Sequence, residues 1–96
     1  MTFVPPSPQD LSGKVAIVTG TTSGLGRRFA QVLANAGAAV AITGRRVDRL
    51  ESLGTEIEAM GARVLPVQLD VTDVLSIERC VREVETELGH IDLLVN

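Results

Sequence analysis

"KVAIVTGTTSGLG", residues 14–26, joins an apolar run to a loop that carries three glycines, and that junction decides the fold. The run "KVAIVT" (14–19) has no polar alternation. It reads as a strand covered on both faces, the condition of a strand inside a parallel sheet. Residues 24–36 then change period. Leu25, Phe29, Val32, Leu33 and Ala36 recur at helical spacing, with Arg27, Arg28, Gln31 and Asn35 mostly opposite. This predicts an amphipathic helix that buries the apolar stripe. Gly37 follows, where a helix end needs a left-handed residue.

The same alternation continues outward from this unit. "AAVAIT" (38–43) is a second strand. Residues 46–60 form a second helix through Val47, Leu50, Leu53, Ile57 and Met60, closed by Gly61. "RVLPVQL" (63–69) is a third strand, and Thr72 or Asp73 caps a third helix with the stripe Ile77, Val81, Val84 and Leu88. Gly89 ends that helix and "IDLLV" (91–95) begins a fourth strand. Strands alternating with helices imply an α/β fold with a parallel sheet and right-handed crossovers. The expected architecture is a doubly wound, Rossmann-like sheet, incomplete, in the strand order 3-2-1-4. Pro66 fits, because proline cannot donate to a ladder and belongs on an edge strand. The fourth strand is the other edge, and an apolar edge invites a further partner. Residues 13–96 are therefore expected to be the N-terminal part of a longer Rossmann-like domain. Residues 1–12 precede it as an extended Pro-rich leader. A complete flavodoxin-like domain would need one more strand and helix.

Composition narrows the class. The chain has 96 residues, 45% of them apolar, which is enough for one small packed domain. A net charge of −3 argues against a nucleic-acid partner, which favours a basic surface. The single cysteine, Cys80, allows no internal disulfide and reads as a small helix residue; this fits a reducing compartment. No metal site is expected. No apolar run approaches the roughly 20 residues of a membrane span. "MTFVPPSPQD" (1–10) has neither the basic start nor the apolar middle of a secretory signal. A cytoplasmic protein with no membrane partner is the expectation.

The glycine loop lies between the first strand and the first helix, beside the point where the strand order reverses. Ligands of open parallel sheets bind there. Glycine admits positive φ and lets backbone approach a phosphate, and the helix start behind it favours an anion. Thr21, Thr22 and Ser23 add hydroxyl donors. The spacing Gly20-x-x-x-Gly24-x-Gly26 is not the usual G-x-G-x-x-G, and Arg27 stands where a P-loop needs lysine. The tip of the second strand is "TGRR", with Gly44, Arg45 and Arg46. A carboxylate there would read the ribose 2′-hydroxyl of NAD(H). Guanidinium groups suit a 2′-phosphate, so NADP(H) is favoured over NAD(H).

"GKVAIVTGTTSGLG" resembles the opening of the short-chain dehydrogenase/reductase family, whose fingerprint T-G-x-x-x-G-x-G is met at Thr19, Gly20, Gly24 and Gly26. "LDVTD" (69–73) is similar to the family's segment after the third strand, and "DLLVN" (92–96) to the run into its N-N-A-G motif. The resemblance implies a cofactor site made of Gly20, Thr22, Ser23, Gly24, Leu25, Gly26, Arg45, Arg46, Asp70, Val71 and Asn96. In it Asp70 contacts the adenine amino group, with Val71 beside the ring. It implies an oxidoreductase that moves a hydride between nicotinamide and a small alcohol or carbonyl substrate, working as a homo-oligomer, a dimer or tetramer. The family's chemistry uses serine, tyrosine and lysine, the last two in Y-x-x-x-K. This sequence holds no tyrosine, and its one lysine, Lys14, starts the first strand. No catalytic residue is therefore assigned within the chain, which is expected to be inactive alone. His90, the one histidine, reads as a turn residue. Two rival readings stay open. One is a non-catalytic dinucleotide-binding module. The other, less favoured, is an S-adenosylmethionine-dependent methyltransferase, which usually wants an acid where Gly44-Arg45 stand.

Overall fold

Seven elements alternate along the chain in a computed structural model that describes residues 11–96. They are β1 (Val15–Val18), α1 (Gly24–Asn35), β2 (Ala39–Gly44), α2 (Val47–Ala59), β3 (Val64–Gln68), α3 (Val74–Glu87) and β4 (Leu93–Val95). The four strands form one parallel sheet in the order β3-β2-β1-β4. This is the expected Rossmann-like order. Pro66 lies on the edge strand β3, opposite Ile42 of β2. Most of the Pro-rich leader lies outside the described residues. Leu11, at its end, packs against the core.

The central strands are apolar because both of their faces are covered. Val18, Val40 and Ile42 join Ala30 and Ala34 of α1 and Leu50, Leu53 and Ile57 of α2 in one cluster. Val15, Ile17, Ala39, Ala41 and Val67 join Cys80 and Val84 of α3 in a second cluster on the opposite face. Successive strand residues point to opposite sides, so adjacent positions feed different cores. The helix ends are as expected: Gly37, Gly61 and Gly89 all have positive φ. Of the two capping candidates for α3, Asp73 serves; its carboxylate accepts from the Leu75 N–H at 3.0 Å.

Two buried faces differ from the expectation. On α1 the inward residues are Ala30 and Ala34. Leu25, Phe29 and Val32 of the expected stripe stay 70%, 45% and 55% exposed. The contact face is centred on Ala30 and Ala34, and of the expected stripe Leu33 still packs, half-buried, against the core. Small side chains let the helix lie close to the sheet, and Phe29 would hold it away. On α3 the inward pair is Cys80 and Val84, while Ile77 and Val81 are exposed. On α2, Leu50, Leu53 and Ile57 are buried as expected, but Val47 and Met60, at the two ends, are not.

Candidate functional site

The carboxyl ends of β1 and β2 are tied together below the glycine loop. Thr43 donates its hydroxyl to the Val18 carbonyl at 3.0 Å. Thr21 returns two bonds to the Thr43 carbonyl, from its N–H at 3.2 Å and its hydroxyl at 2.8 Å. Both threonines are buried, and these bonds answer their hydroxyls. The loop therefore stands on a cross-strand clamp. Its other side is tied to β4: Thr19 donates its N–H to the Val95 carbonyl at 2.9 Å and its hydroxyl to Asn96 Oδ1 at 2.8 Å.

Gly20 takes φ +67, a left-handed turn that brings the chain from β1 back over the sheet. Ser23 precedes α1 but does not cap it. Its hydroxyl donates to the Gly20 carbonyl at 2.9 Å, and its own N–H reaches the same oxygen at 3.2 Å. The first bond of the helix runs from the Arg27 N–H to the Ser23 carbonyl, at 3.0 Å. The N–H groups of Gly24, Leu25 and Gly26 precede it, and no side chain among the described residues caps them. No acidic residue stands in this first turn. A Cβ at Gly24 would meet nothing within 4 Å, whereas at Gly26 it would strike the Gly20 carbonyl. The loop thus offers uncapped donors and open space on one side and tight packing on the other. This fits the approach of a phosphate.

A cleft of about 540 Å³ opens between this loop and the tip of β2. Gly20, Thr22, Ser23, Arg45, Arg46, Val71 and Asn96 of the expected site all line it. Leu25 and Gly26 line a smaller hollow of about 250 Å³ on the β4 side, which shares Thr19, Gly20, Ser23 and Asn96 with the cleft. Asp70 is not among the residues lining the cleft. It faces a groove between β3 and α3, although its neighbours Leu69 and Val71 do line the cleft. Asp70 Oδ1 accepts the Thr72 N–H at 3.0 Å and the Thr72 hydroxyl at 2.6 Å. These bonds, first the hydroxyl and then the N–H, hold the carboxyl below its ordinary 3.8; slight desolvation opposes them and Arg45 adds attraction. A carboxylate with a depressed pKa stabilises the fold above its ordinary pKa and loses that contribution as pH falls through the lowered value. Thr72→Val should therefore return the Asp70 titration towards 3.8, read by carboxyl carbon NMR. An unmoved titration would refute the Thr72 account.

Sequence reasoning missed Arg49, Thr43 and Leu69, which also line the cleft. For Arg49 a signal existed: it lies three residues beyond Arg46, and positions so spaced share one helix face. Arg27 turns away from the loop and pairs with Glu56 of α2. Burial pushes the Cys80 thiol up, with Glu83 adding to the shift, as suits a core residue. His90 is exposed in the bend before β4. Among the described residues no group of acidic, histidine or cysteine side chains could hold a metal ion. None of their helices is long and apolar enough to cross a membrane.

A parallel sheet ordered 3-2-1-4, with an uncapped glycine loop over its switch point, defines the Rossmann-like nucleotide-binding class. Residues 14–96 match the family model of the short chain dehydrogenases, and the chain belongs to that family. A short chain dehydrogenase of Pseudocercospora fijiensis is 45% identical over 86 residues, which cover 90% of this chain and 28% of that protein. L-Sorbose reductase from Gluconobacter frateurii, solved with NADPH and L-sorbose, shares 39% identity at a TM-score of 0.84, over 90% of this chain and 33% of its own. Hydroxysteroid dehydrogenase from Escherichia coli shares 29% identity at a TM-score of 0.90, over 97% and 39%. The chain spans no more than 39% of the length of any of the three. The family is one of oxidoreductases that bind a nicotinamide dinucleotide.

Proposed function

We propose that the chain is the cofactor-holding part of an NADP(H)-dependent oxidoreductase that interconverts an alcohol and a carbonyl compound. One observation carries the cofactor choice: three arginines and no carboxylate line the cleft under the glycine loop. Arg45 meets the 2′-phosphate, with Arg46 beside it. The N–H groups at the start of α1 and the hydroxyl of Thr22 receive the pyrophosphate, joined by the hydroxyl of Ser23 once it turns from the Gly20 carbonyl, and Gly24 leaves it room. Val71 lies against the adenine, and the carboxylate of Asp70, turned from its groove, accepts from the adenine amino group. Asn96 closes the loop side next to Thr19. The bound dinucleotide supplies the hydride, while these residues bind and orient it. No residue of the chain is assigned the proton transfer to the substrate oxygen, and the 96 residues alone supply cofactor binding only. The lone cysteine is consistent with a cytoplasmic protein. The whole protein is read as a homo-oligomer acting on a small molecule. The NADPH seen with the similar sorbose reductase supports the cofactor reading.

Calorimetric titration of the full-length protein should give NADPH the lower Kd, by about ten-fold or more over NADH. A charge-assisted hydrogen bond contributes about 1.5–3 kcal/mol, so Arg45→Ala should weaken NADPH roughly 10- to 100-fold and NADH by less than about two-fold. A preference for NADPH that survives Arg45→Ala removes Arg45 from this role. Tighter NADH than NADPH in the unaltered protein sinks the NADP(H) reading.

A further inference from the structure

We propose that Arg49 is a second specificity-determining residue, which acts with Arg45 to hold the 2′-phosphate of the dinucleotide. The inference rests on the NADP(H) reading above and extends it to a position outside the "TGRR" tip. Arg49 is the third residue of α2. It is one turn on from Arg46, which precedes the helix with extended backbone. Both arginines and Arg45 line the same cleft, and Asp48, between them in sequence, does not. The helix start therefore presents its cations to the cleft and turns its nearby acid elsewhere.

Charge explains why one arginine is not enough. A phosphomonoester carries about −1.5 to −2 at neutral pH, more than one guanidinium neutralises. Arg45 also shares its charge with the carboxyl of Asp70, which feels it as the smallest of the influences that act on it. Its own backbone carbonyl is fixed by Gln68 Nε2 at 3.2 Å, which places the residue at the rim beside β3. Arg49 has no such competitor: among the described residues the one ion pair is Arg27–Glu56. A cation in the first turn of a helix opposes the macrodipole. Arg49 accepts that position without a carboxylate partner, and an anion in the cleft would compensate it. Arg49 is exposed, so its side chain is not held by packing and is free to reach the phosphate.

The test uses full-length protein and two probes that differ only in the 2′-phosphate, 2′,5′-ADP and 5′-AMP, titrated calorimetrically. Arg49→Ala should raise the Kd of 2′,5′-ADP about ten-fold and leave that of 5′-AMP within about two-fold. Arg49→Gln, which keeps the stem and loses the charge, should do the same, and Arg49→Lys should recover part of the loss. Equal weakening of both probes would mean a packing role and overturn the proposal. So would 2′,5′-ADP binding that Arg45→Ala weakens and Arg49→Ala does not; the NADP(H) reading would then stand and Arg49 alone would fall. If the unaltered protein does not discriminate between the probes, the NADP(H) reading itself fails and the Arg49 role fails with it.

Discussion

Gly26→Ala should abolish useful dinucleotide binding, raising Kd by about 100-fold or more, and should also destabilise the fold. The reason is backbone against backbone. A Cβ at this position would strike the Gly20 carbonyl oxygen, with the carbonyl carbon at 2.8 Å and Thr21 Cα at 3.2 Å. None of these atoms belongs to a side chain that could rotate away. Either α1 lifts from the sheet or the loop opens. The loop cannot open alone, because Thr21 is bound twice to the Thr43 carbonyl beneath it. Overpacking of this kind costs typically about 1–3 kcal/mol. The first turn of α1, whose N–H groups face the phosphates in our reading, would be misplaced with it. Titration with NADPH and urea unfolding of the same variant measure the two effects. Gly24→Ala is the contrast: its Cβ meets open space, so it should unfold like the unaltered protein. Wild-type affinity in Gly26→Ala would show that close packing at this point is not what shapes the loop.

Ile57→Ala should separate the scaffold from the site. Ile57 is fully buried in the cluster that joins α2 to β2 and α1. Isoleucine-to-alanine changes in a core cost about 2–5 kcal/mol, through lost transfer energy and the cavity left behind. That is a large fraction of the roughly 5–15 kcal/mol that holds an ordinary domain together. The arginines stand at the other end of α2, where Leu50 is itself buried and keeps the first turns on the sheet. The ratio of NADPH to NADH affinity should therefore persist in the variant while its urea midpoint falls. A changed ratio would mean that the arginine positions depend on the whole helix and not on its first turns.

Much of this was legible in the sequence, for identifiable reasons. Buried parallel strands leave continuous apolar runs, so β1 and β2 stood out. Glycines that end helices mark boundaries, and Pro66 marked an edge. The glycine loop was legible because few other demands place Gly20, Gly24 and Gly26 between a buried strand and a helix. The inward faces of α1 and α3 were legible only in part: Leu33, Val84 and Leu88 of the expected stripes meet the core, while Phe29, Val32, Ile77 and Val81 stay exposed. An apolar stripe such as Leu25, Phe29 and Val32 records that a face prefers to leave water, not which neighbour covers it. On α1 the sheet took the small residues Ala30 and Ala34 instead, because closeness is limited by side-chain size. Asp70 was expected in the site from the family resemblance, yet its carboxylate is held by Thr72 beside a different groove, a local turn that spacing alone does not reveal. Arg49 lies past the strand tip in the first turn of α2, and its place along the cleft depends on how that helix is rotated, which the tip sequence does not specify.

The place of β4 bears on how the molecule assembles. It is the fourth strand in sequence but sits beside the first, and Ala16 pairs with Leu93, Ile17 with Leu94 and Val18 with Val95. Thr19, at the foot of the glycine loop, donates its N–H to Val95 and its hydroxyl to Asn96. During vectorial synthesis β1 and α1 leave the ribosome long before these residues exist. The β1–β2 clamp can form early, since its partners are 22 to 25 residues apart. The other wall must wait for a closure spanning 76 or 77 residues, a contact of high order and slow search. The β1–β2 wall of the cleft can therefore stand before the β4 side, which forms only when β4 docks.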